Sequence, residues 1–168
     1  MKSKFTICSV LVAALLLVLV CYALSSMPIQ RLILCASDES KLVVPAKVCQ
    51  YYMDGLGEKA IGELQDGAGL EFILNLNSPA KFILADQFIA KGLDVDGINH
   101  YGTGGNTPLH AAVMYGDLDT INYLLNQGAS LDIVNTEGQK AKDLAEQLYG
   151  NGKKPNGPAI IALLSPSS

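Results

Sequence analysis

Two histidines, His100 and His110, and four cysteines are the side chains of this 168-residue sequence best suited to hold a metal or attack a substrate. Neither role fits their surroundings. No Cys or carboxylate stands near His100 at the spacing a metal site needs, and it sits beside Tyr101 in a glycine-rich stretch that reads as a loop. Gly102, Gly104 and Gly105 in that stretch suggest a phosphate-cradling loop, but no Gly-Lys-Ser/Thr follows them and no strand precedes them. The stretch reads instead as a hairpin tip. The paired carboxylates Asp117 and Asp119 open a helical pattern, where negative charge favours the helix dipole. The sequence therefore nominates no catalytic residue, no metal ligand and no cofactor, and a non-enzymatic role is expected.

The cysteines divide by position. Eighteen of the twenty residues from 5 to 24 are apolar, and Lys2 and Lys4 precede them. As a helix, such a run matches the thickness of a bilayer, so residues 1–25 are expected to be a cleaved signal peptide or a membrane anchor. Both outcomes stay open, because the run is longer than a usual signal core while Ala23 and Ser25 offer small residues at a cleavage spacing. Either outcome exports the remainder, to the periplasm or the outer face of the cytoplasmic membrane. Cys8 and Cys21 fall inside the run and read as small hydrophobes. Cys21 follows Val20, which argues against lipid attachment. Cys35 and Cys49 fall beyond the run, where an oxidising compartment permits a disulfide, the alternative being two free buried thiols. A bridge there would contribute about 3 kcal/mol in the chain-entropy model.

The net charge is -4, and beyond the two leading lysines 10 basic residues face 16 acidic ones. Nucleic acid is thereby an unsuitable partner and proteins are suitable ones. Contact with the membrane is expected only through the N-terminal segment. Residues 26–44 read as a tether. Pro45 then starts a helix whose Val48, Tyr51 and Tyr52 share one face, and a second short helix is expected over 58–64. Residues 69–76 fit a strand or a buried helix. Residues 81–91 place Ile83, Leu84, Gln87 and Phe88 at helical spacing and stop at Gly92.

A repeat governs the remainder. Gly105 and Gly138 stand 33 residues apart, Asn99 and Asp132 repeat the interval, and Gly92 and Gly128 keep it once Val95, Asp96 and Gly97 are taken as an insertion. Between these marks stand Thr107, Pro108, Leu109, His110, Ala112 and Gly116, then Ile121, Leu124 and Leu125, then Gly128, Ala129, Leu131 and Asp132. Thr107 is suited to cap a helix and Pro108 to its first turn. In these residues the sequence resembles the ankyrin-repeat family, and the resemblance implies hydrogen bonding between Thr107 and His110. It covers residues 81–164 as three units. The third has Lys140, Ala141, Lys142 and Asp143 in place of Thr-Pro-Leu-His. The expected fold is all-α: a short ankyrin-repeat solenoid over 81–164, N-terminal capping helices over 45–80, and a signal or anchor helix ahead of the tether.

The same resemblance implies a protein-binding module whose variable positions fall on Tyr101, Thr103, Asn106, Met114 and Tyr115. In the degenerate third unit they fall on Thr136, Glu137, Gln139 and Gln147. An immunity-type inhibitor of an exported toxin is one expected role, and a scaffold or protective factor for an envelope enzyme is another. A small envelope enzyme or sensor with its site in residues 45–76 is the alternative from a different class. If Cys35 and Cys49 are bridged, thiol alkylation of unreduced exported protein should leave both unlabelled. Full labelling of both under oxidising conditions would refute the bridge.

Overall fold

The computed structural model describes residues 2–40, 44–152 and 154–165, with side chains described at Ile7 and from Ser9 onward. Residues 41–43 of the expected tether and the side chain of Cys8 lie outside the described residues. Among the described residues the chain forms ten α-helices and no strand, in two compact units that divide after Gly55.

The first unit holds α1 (Lys2–Ser25), α2 (Ile29–Ala36) and α3 (Ala46–Asp54). Helix α2 lies inside the stretch expected to be a tether. Ile29, Leu32, Ile33 and Ala36 stand at i, i+3, i+4 and i+7 behind Pro28, which is the spacing of one apolar face, and all four are buried. Cys35 and Cys49 are disulfide-bonded with their Cα atoms 5.9 Å apart, which joins α2 to α3. Gln50 adds a second tie, its side-chain amide donating to the Ala36 carbonyl at 2.9 Å. Among the described residues no single helix is long and apolar enough to cross a membrane. Ser9–Ser25 and Ile29–Ala36 reach that length only together, with a bend of 119° between them.

The second unit begins with α4 (Glu58–Gln65), followed by α5 (Gly69–Leu74), α6 (Lys81–Ala90), α7 (Pro108–Tyr115), α8 (Leu118–Asn126), α9 (Ala141–Tyr149) and α10 (Gly157–Leu163). Helix α5 packs on α6, α7 on α8 and α9 on α10, while α7 also packs on α5 and α9. The result is a solenoid of three helix pairs, with α5, α7 and α9 forming one layer. The first pair thus opens at Gly69 rather than at residue 81, and α5 is its inner helix rather than part of a cap. Of the helices expected to cap the stack over 45–80, α3 belongs to the first unit and α4 packs on α5.

The core follows from the repeat. Leu109, Val113, Ile121, Leu124, Ala145 and Ile160 are almost wholly buried. Leu125, expected to be buried beside Leu124, is only half-buried because it stands one position around α8 from the packed face. Leu124→Ala should therefore lower the unfolding free energy by about 2–5 kcal/mol, and Leu125→Ala by clearly less. Urea unfolding of the two variants side by side checks this, and equal losses would contradict the packing of α8.

Candidate protein-binding surface

The site is built on the loop and helix from Asn99 to Tyr115. Thr107 caps α7 with Pro108 in the first helical position. His110 is buried, 1% exposed, and its Nε2 lies 2.9 Å from the carbonyl of Gln139 in the next repeat. A carbonyl only accepts, so Nε2 carries the proton and Nδ1 accepts from the Thr107 hydroxyl at 2.9 Å and the Thr107 amide at 3.4 Å. One imidazole thus closes its own helix start and holds the adjacent hairpin.

The loop tips are tied in the same way. The Thr136 amide and hydroxyl both donate to the Gly104 carbonyl, at 2.9 and 3.0 Å, and the Asn135 side chain donates to the Asn106 side chain at 3.2 Å. Gly105 has φ +56°, and a Cβ there would stand 2.9 Å from the Thr136 methyl, so the approach of the two tips needs glycine. At the far end of α7 the buried Tyr149 hydroxyl donates to the Val113 carbonyl at 2.7 Å. It does so across Gly116, where φ is +70° and a Cβ would stand 3.1 Å from that hydroxyl.

Against this frame the expected binding residues separate. Tyr101 is 74% exposed, Tyr115 66% and Met114 42%, and Thr103, Glu137 and Gln147 are also exposed. Thr136 is exposed but its hydroxyl is occupied by Gly104, and Asn106 and Gln139 are half-buried. A groove of about 340 Å³ brings Thr103, Asn106, Met114 and Glu137 together with Glu71 and Asn99. A second pocket, of about 200 Å³, lies beside it and is lined by Met114, Tyr115, Tyr149, Lys154 and Pro155 among others. Met114 borders both. Tyr101, Thr136, Gln139 and Gln147 line neither; Tyr101 lies over the loop before α5, with its hydroxyl 3.0 Å from where a Gly67 Cβ would be.

Glu71, Asn99, Tyr149, Lys154 and Pro155 belong to this surface without having been nominated from sequence. Glu71 is held toward the groove by Asn99, whose side chain donates to its carboxylate at 3.1 Å. Lys154 places its ammonium 4.9 Å from the centre of the Tyr149 ring. A signal existed for Asn99, which takes part in the 33-residue interval. None existed for Glu71, because the helix that carries it has no family motif.

The outer helices are joined by a polar cluster behind the surface. Asp117 caps α8, accepting from the Thr120 amide at 3.0 Å and the Thr120 hydroxyl at 2.7 Å, and Lys81 of α6 reaches the same carboxylate at 3.2 Å. Burial pushes the Asp117 carboxyl up, but the hydrogen bonds from Thr120 and Lys81 and the Lys81 charge outweigh it and hold it below the ordinary carboxylate value. Tyr123 of α8 donates to Asp86 of α6 at 2.7 Å and stacks on Phe82 with ring centres 4.7 Å apart.

Residues 104–136 match the family model for the ankyrin repeat, so this part of the chain is an ankyrin repeat. The Danio rerio protein named "Putative palmitoyltransferase ZDHHC13" is 42% identical over 60 residues, a stretch covering 36% of this chain and 8% of that protein. The chain therefore spans less than a tenth of that relative. No solved structure matches the chain.

Asp117 gives this geometry a pH signature. Its folded-state value is depressed, so its stabilisation is present above the unfolded value of 3.8 and is lost as pH falls through the folded value. Asp117→Ala should cost about 0.5–2 kcal/mol at pH 7, and the gap to the wild type should narrow below pH 3.8. Urea titrations across that range check it; a gap independent of pH would remove the cap and ion pair as its cause.

Proposed function

We propose that this chain, an ankyrin-repeat protein, is a non-enzymatic protein-binding module that works outside the cytoplasm. The observation that carries the reading is the meeting of two open pockets at Met114, with the exposed ring of Tyr115 beside it. Methionine adapts its shape to a partner and tyrosine supplies rigid contact area, and both are enriched where proteins dock. Repeat stacks present such a surface without chemistry of their own. The acyl-transfer activity in the relative's name forms no part of the proposal.

Two features support export. The N-terminal segment has the lysines and the apolar run of a membrane-targeting sequence, and a disulfide between Cys35 and Cys49 suits an oxidising compartment. The repeat-bearing unit carries 13 acidic against 7 basic residues over 56–168, which suits a partner with a basic face. Within this class we favour an inhibitor that caps an exported protein, in the manner of an immunity factor, over a scaffold for an envelope enzyme.

Tyr115→Ala and Met114→Ala should each weaken capture of the native envelope partner by about tenfold, which is about 1.4 kcal/mol. Both side chains are exposed, so the melting temperature should change little. Asn122 is exposed on α8 and bonded only to its own helix, at Leu118, so Asn122→Ala should alter neither property. The measurement is affinity beside thermal stability for the three variants. Loss of binding in Asn122→Ala with none in Tyr115→Ala would place the interface elsewhere.

A further inference from the structure

Met114 stands between two recesses whose charges are opposite in sign. The groove on one side is bounded by Glu71 of α5 and by Glu137 on the loop tip of the next repeat, its only charged side chains among the described residues. The pocket on the other side has Lys154 as its only charged side chain among the described residues. Met114 borders both and is 42% exposed, so the sign of the surface reverses across a single thioether.

This chain does not neutralise these three charges. Lys81, Lys140 and Lys142 form ion pairs with Asp117, Asp132 and Glu146, whereas among the described residues Glu71, Glu137 and Lys154 have no ion-pair partner. Glu71 is met by amides instead: the side chains of Asn99 and Asn75 donate to its two carboxylate oxygens at 3.1 and 3.4 Å. Such donors orient the carboxylate and leave its charge in place. Lys154 is likewise placed without being neutralised, its ammonium 4.9 Å from the centre of the Tyr149 ring, which the hydroxyl ties to the Val113 carbonyl.

An isolated unpaired charge on a surface simply faces water. Here the charges line two recesses that share one wall, so a segment seated in both must carry its own charges in the complementary order. We infer that this surface selects a segment of a protein partner that places an arginine in the groove and a carboxylate in the pocket, with Met114 between them. The inference rests on the protein-binding reading above and names the partner chemistry of that same surface. A guanidinium presents N–H donors as a planar fork, which suits a groove whose carboxylates come from the repeats on either side of α7. A uniformly basic partner meets Lys154 with like charge, and one with the reverse order is repelled in both recesses. Charge used in this way supplies specificity more than affinity.

The test follows the Met114 methyl signal by NMR in the full chain, held in nonionic detergent and isotope-labelled at its methionine methyls, with Met114→Leu identifying the signal. N-acetylarginine amide should shift it saturably and bind about fivefold more tightly than N-acetylcitrulline amide, its neutral isostere. The Glu71→Gln/Glu137→Gln double variant should abolish that preference, whereas Lys154→Gln should leave it. N-acetylglutamate amide should in turn be preferred over N-acetylglutamine amide, and only Lys154→Gln should remove this second preference. Equal binding of the arginine and citrulline amides, no shift from either, or an arginine preference that survives in the double variant would overturn the inference. Absence of a glutamate preference, or its survival in Lys154→Gln, would overturn the paired order of charges. If capture of the native partner still depends on Met114 and Tyr115 in those events, the protein-binding reading stands without this inference; if it does not, both fall.

Discussion

A buried imidazole needs partners for both ring nitrogens, and His110 has them only when the third repeat stands beside the second. Its Nδ1 is satisfied within α7 by Thr107, but Nε2–H must reach the Gln139 carbonyl. Without that carbonyl a buried donor would be left unpaired, at a cost of about 1–3 kcal/mol. The same dependence recurs at Tyr149, whose buried hydroxyl donates back to Val113, and at Thr136, whose amide and hydroxyl both end on Gly104. Each repeat thus completes the hydrogen bonding of its neighbour as well as covering its apolar face. Stability in such a stack resides in the interfaces more than in the units.

This explains why the third unit survives the loss of the Thr-Pro-Leu-His residues. Its helix start is served differently: the Asp143 carboxylate accepts from the Lys140 amide at 2.9 Å, satisfying one of the donors that every helix start leaves open. What the second unit takes from the third is the Gln139 carbonyl, the Thr136 amide and hydroxyl, the Asn135 side chain and Tyr149. Lys140, Ala141 and Lys142 are free to depart from the motif because none of them supplies these contacts.

How much was legible in the sequence follows from the same distinction. Gly105, Thr107, Pro108, His110 and Gly116 were readable because each meets a backbone demand that few residue types satisfy, a positive φ, a cap or a missing donor. Helix α5 was ambiguous because Gly69–Leu74 is too short for period to separate helix from strand, and only its packing between α6 and α7 decides. Helix α2 was missed for the opposite reason. Its period is clear in Ile29, Leu32, Ile33 and Ala36, but it follows Ser25, Ser26 and Pro28 and precedes a charged run, and composition over the whole stretch hid eight ordered residues.

The expected binding residues show where motif transfer stops being informative. A family register can say which positions point away from the core, but not which of those the neighbouring loop consumes. Thr136 and Asn106 were nominated by register, and both have side chains engaged in holding loop tips together. Met114 and Tyr115 were nominated by the same rule and remain open, because α7 ends at Gly116 and the space beside them was vacated for Tyr149. The Tyr149 hydrogen bond to the Val113 carbonyl ties the end of α7 beside these two side chains, while the loop-tip contacts tie its start. A frame tied at both ends of α7 would leave few groups for a partner at the proposed surface to order on binding.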